Sequence, residues 1–149
     1  MTETTKWVYP PNFNGDYGEG KNGNRRIVMQ FTHVYVAANE TDVVKVNRSE
    51  LRGTSGLVPD KLVVEKVEGL VQGIGLSIEW DTTPHELITR VDAGVSTDTV
   101  TIDKDFTQGG RFSGLVPSEE GGTGDIIFTT SAGAAGDSYD ITLTVRLKE

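Results

Sequence analysis

From Tyr139 to Lys148 the chain alternates without a break: Tyr139, Ile141, Leu143, Val145 and Leu147 are apolar, and Asp140, Thr142, Thr144, Arg146 and Lys148 are polar. A period of two puts every apolar side chain on one face of an extended strand, so this stretch is predicted to be a half-buried β-strand. A strand this regular belongs inside a sheet, because a long flat edge invites unwanted pairing. Upstream, Asp125 to Thr130 (Asp-Ile-Ile-Phe-Thr-Thr) reads as another strand. Ser131 to Asp137, small and glycine-bearing, reads as the loop of a hairpin joining the two.

The same patterning recurs along the chain. Arg26 to Ala37 reads as a long strand with Ile27, Met29, Phe31 and Tyr35 on one face; Val28, Val34 and Val36 partly populate the other. His33, in the middle of the first set, is expected to be packed rather than to act as a ligand. Thr41 to Asn47 gives a second strand, and Ser49 to Gly56 a polar connection anchored by Leu51. Lys61 to Glu68 and Gly73 to Trp80 follow, the latter alternating at Ile74, Leu76, Ile78 and Trp80, with Gly69 to Gly73 able to turn or bulge between them. A helix over 61–72 is conceivable from its spacing, but the β-branched residues and flanking glycines oppose it. Pro84 to Val91 and Thr99 to Phe106 bring the count to eight strands. With 18 glycines among 149 residues to turn the chain between short apolar runs, this composition predicts an all-β, antiparallel β-sandwich with the strand count of a jelly roll. Residues 107–123 carry no strand pattern and read as a compact surface loop pinned by Phe112, Leu115 and Val116.

Residues 1–24 differ from the rest, which divides the chain into an extended N-terminal arm and a single β-sandwich domain over 25–149. Trp7 and Tyr9 precede Pro10-Pro11, which hold the backbone extended and cannot donate hydrogen bonds. An Asn- and Gly-rich tract carrying Phe13 and Tyr17 follows. Either these aromatics fold back on their own sheet or they dock on a neighbouring subunit. Trp7, Tyr9, Phe13, Tyr17 and Phe112 are the candidate partner-binding residues.

Several functions are disfavoured. Without cysteine there are no disulfides, thiolate nucleophiles or Cys-type zinc sites. A net charge of −8 with dispersed Lys and Arg opposes tracking of a nucleic-acid backbone. No run is long and apolar enough for a membrane span, and the first residues lack a secretory signal, so synthesis in a cytoplasm is expected. Asn12, Asn14 and Asp16 have calcium-loop spacing, but Tyr17 and Gly23 stand where the turn glycine and bidentate acid are needed. Gly121-Gly-Thr-Gly124 lacks the lysine of a phosphate-binding loop and reads as a turn. Neither Glu119-Glu120 nor Asp103 with Asp105 stands out as a catalytic pair, and no nucleophile elbow is present. Asn39-Glu-Thr41 and Asn47-Arg-Ser49 match the glycosylation pattern, which carries no meaning without secretion. No catalytic, cofactor-binding or metal-ligating residue is assigned, and the chain is expected not to be an enzyme.

At Asn39-Glu-Thr-Asp-Val-Val-Lys-Val46, at Gly121-Gly-Thr-Gly-Asp-Ile-Ile-Phe-Thr-Thr130 and at Ala135-Gly-Asp-Ser-Tyr-Asp-Ile-Thr-Leu-Thr-Val-Arg-Leu147 the chain resembles small virion structural proteins of tailed bacteriophages. The resemblance spans most of residues 25–147, and its motifs are strands and turns. It implies a capsid decoration or cement protein whose partners are the major capsid protein and neighbouring copies of itself. The second expectation, from a different class, is a carbohydrate-binding module of a phage head or fibre, with Trp80, Tyr17 and Phe112 stacking on surface glycans if exposed.

Overall fold

A computed structural model describes the backbone of residues 2–9 and, with side chains, residues 26–51, 57–94, 99–107, 114–117 and 121–148. Nine strands succeed one another: β1 (Thr2–Tyr9), β2 (Arg26–Val34), β3 (Val43–Val46), β4 (Lys61–Gln72), β5 (Gly75–Trp80), β6 (Glu86–Val91), β7 (Thr99–Asp105), β8 (Ile126–Ser131) and β9 (Ser138–Lys148). One sheet has the order β1-β2-β9-β4-β7 and the other β3-β8-β5-β6, with every pairing antiparallel. Without β1, the two orders are those of an eight-stranded jelly roll. From β2 onward, consecutive strands cross between sheets except at the β5–β6 hairpin.

The alternation of β9 works as the sequence predicts. Tyr139, Ile141, Leu143, Val145 and Leu147 are buried, and β9 lies between β2 and β4 in the middle of its sheet. Leu143 stands opposite both Met29 and Val67, so three apolar side chains form one inward row. The facing row comes from Leu76, Ile78 and Trp80 of β5 and from Ile126 and Phe128 of β8, all in one continuous core with Ile27 and Phe31. Each such side chain contributes on the order of 1.5–3 kcal/mol by leaving water. Leu51 is buried as predicted, and 61–72 is strand throughout. Gly69 lets that strand pass β9: its φ is +149°, and a Cβ there would sit 1.9 Å from the Asp140 carbonyl oxygen.

Two local expectations are corrected. β8 and β9 are not a hairpin, for they belong to different sheets. Alternation shows which face of a strand is buried but not which strand lies beside it. The glycine-bearing link 132–137 turns the corner between sheets, held where Tyr35 N donates to Asp137 O (2.7 Å) and Gly136 N donates to Tyr35 O (3.1 Å). In the 107–123 stretch, Leu115 is pinned by two backbone hydrogen bonds to Val64 (2.8 and 2.9 Å), but Val116 is exposed and the buried neighbour is Pro117. Phe112 lies outside the described residues.

Candidate functional site

The aromatic candidates are only partly placed. Trp7 and Tyr9 lie in β1, which pairs with β2 of the same chain from Thr2 opposite Val34 to Trp7 opposite Met29, with a register shift before Tyr9 meets Val28. Phe13, Tyr17 and Phe112 lie outside the described residues, as does Glu119-Glu120. Trp80 is fully buried in the core, so it offers no stacking surface to a glycan. Asp103 and Asp105 are exposed on the edge strand β7. Asp105 accepts from the backbone N–H of Thr107 (2.9 Å) and from its hydroxyl, and these bonds hold its carboxyl below the usual carboxylate range.

One end of the core is polar. Lys45 Nζ donates to Glu40 Oε2 at 2.6 Å, and both side chains are essentially removed from solvent. The Tyr139 hydroxyl donates to the other oxygen of Glu40, and the Lys45 ammonium lies 5.7 Å from the centre of the Phe128 ring. His33 stacks on Tyr139 with ring centres 5.2 Å apart, which bears out its reading as a packed histidine. The Glu40 backbone is fixed as well, its N–H donating to Thr130 Oγ1 (2.8 Å) and its carbonyl accepting from Thr130 N (3.0 Å). Charge buried this deeply is tolerated only because each ion neutralises the other and is hydrogen-bonded besides. Enclosed and internally partnered, this group offers no surface to a ligand.

The outer face of the β3-β8-β5-β6 sheet carries a second polar group, open to solvent. Leu76, Ile78 and Trp80 of β5 point into the core, so Glu79 points outward. Asp42 precedes β3 with φ of +48°, a left-handed conformation in which two bonds hold it: its N–H donates to Thr129 Oγ1 (2.9 Å), and that hydroxyl lies 3.1 Å from Asp42 Oδ1. His85 leaves the β5–β6 turn with Nδ1 3.9 Å from Asp42 Oδ1 and Nε2 3.3 Å from Asp81 Oδ1. The other oxygen of Asp81 accepts from the Thr123 hydroxyl (2.8 Å). Ligand atoms of Asp42, Glu79 and His85 all lie within 4.8 Å of one another, so these three residues could hold a metal ion. The sequence pattern does not single out these residues as metal ligands, because they come from separate stretches. The one local signal was the spacing of Asp81 and His85.

Other features are structural. Gly121, Gly122 and Gly124 all adopt positive φ, and a Cβ on Gly122 would lie 2.2 Å from the Asp81 carbonyl oxygen, so the glycine run serves a tight bend of the backbone past Asp81. It borders a surface groove of about 360 Å³, where Arg48 donates to the carbonyls of Thr123 and Pro59 (2.8 Å each). On the outer face of the other sheet Glu65 receives both Nε and Nη2 of Arg26, which raises the guanidinium pKa further above its ordinary value. No protein-family model matches this chain, and neither a curated protein nor a solved structure matches it.

Proposed function

We propose that this chain is a non-enzymatic structural protein of a tailed-bacteriophage virion, bound to the outer surface of the head as a decoration protein that reinforces contacts between capsomers. The observation that carries this reading is β1. The eight strands of the jelly roll form a body without it, and β1 is added at one edge, bonded among the described strands to β2. An edge strand joined through its backbone is the element most easily exchanged, since the same β2 edge accepts an equivalent strand from a neighbour. Residues 10–25 between the two strands, fully extended, would reach on the order of 50 Å at ~3.3 Å per residue. The resemblance to virion proteins agrees with this role, and the net charge of −8 favours the outside of a DNA-filled shell over its interior. Modest contacts repeated over a lattice add up without any active site.

Copy number in purified particles tests the proposal. Decoration of the head requires tens to hundreds of copies, whereas six or twelve would move the protein to the tail or portal. The glycan-binding alternative loses one of its three aromatics with the burial of Trp80.

A further inference from the structure

We propose that Asp42, Glu79 and His85 form a binding site for a divalent transition-metal ion, with zinc the best fit, on the outer face of the β3-β8-β5-β6 sheet. Three observations converge on it. The ligand atoms come from three separate segments: the turn before β3, strand β5 and the loop entering β6, yet they gather within 4.8 Å. Two ligands each ~2.1 Å from one ion can be at most ~4.2 Å apart. The 3.9 Å between His85 Nδ1 and Asp42 Oδ1 is already inside that limit, and rotation of the exposed side chains closes the remainder.

The imidazole is also oriented for the task. With Nε2 directed at Asp81, itself held by Thr123, a proton on Nε2 leaves the Nδ1 lone pair facing Asp42. A carboxylate behind the distal nitrogen of a histidine is the arrangement that fixes the tautomer and strengthens the nitrogen as a ligand. One nitrogen and two carboxylates suit zinc or a neighbouring transition ion; calcium and magnesium prefer oxygen-only cages. Three protein ligands at a solvent-open surface leave at least one position for water or a further donor. A bound ion would tie the three segments together.

The composition makes the test sharp. The chain has no cysteine and two histidines, and the other histidine, His33, is fully buried. Any histidine-dependent zinc binding at the surface therefore runs through His85. Untagged full-length protein, treated with EDTA and dialysed, is titrated with zinc chloride by calorimetry. One site of micromolar affinity is expected, with a higher Tm on loading. His85→Ala and Glu79→Gln should each weaken binding more than tenfold while keeping the wild-type circular dichroism spectrum without metal. Millimolar calcium or magnesium should not displace the zinc. Absence of saturable binding below 1 mM, equal binding by wild type and both variants, or a preference for calcium would each overturn the proposal.

Discussion

The jelly-roll body and strand β1 are made of the same kind of secondary structure but differ in how they are held. β9, at the centre of the body, has β2 on one side and β4 on the other, and all its apolar residues enter the common core. Among the described strands β1 has one neighbour, as the edge strands β3, β6 and β7 also do, but it lies outside the eight-strand jelly-roll order. The eight strands of the body, from both sheets, pack their inward faces into one shared core. A strand added at an edge through backbone bonds is a contact that can be exchanged, as the proposed assembly role would require.

Three perturbations probe this difference, beginning with the most damaging. Lys45→Ala leaves the Glu40 carboxylate buried without its counter-ion, and loss of one partner from such a pair costs about 3–5 kcal/mol. Urea unfolding should show a loss of that size or no folded protein at all; a loss below about 1 kcal/mol would mean that water already reaches this end of the core. Leu143→Ala removes a fully buried side chain from the central strand and should cost about 2–5 kcal/mol by the same measurement. A loss under about 0.5 kcal/mol would contradict the packing of β9 between the sheets. Removal of the arm is the third and mildest for the body.

The body is legible in the sequence because a half-buried strand writes its orientation into the chain as strict alternation, which marks the eight runs from Arg26 to Lys148 and the inward rows at Ile74 and Ile141. Partnership between strands is not written that way. The pairing of β9 with β2 and β4 depends on contacts far along the chain, which made the short link from Ser131 to Asp137 look like a hairpin. The buried ion pair was hidden for a related reason. Glu40 lies in a stretch that reads as a turn, and the β-bulge between Val44 and Val46 puts both Lys45 and Val46 under cover, against simple alternation. Asp42, Glu79 and His85 were still less visible, since only the folded sheet brings them together.

The most direct test of the account is deletion of residues 1–24, assayed both on the free protein and on particles lacking bound copies. If β1 serves assembly and the jelly roll stands alone, the Tm of the truncated body stays within a few degrees of wild type. Binding to the particle then weakens more than tenfold, about 1.4 kcal/mol or more, and Trp7→Ala alone reproduces a good part of that loss. A truncated protein that unfolds, or one that stays folded and binds particles as tightly as wild type, would contradict the account.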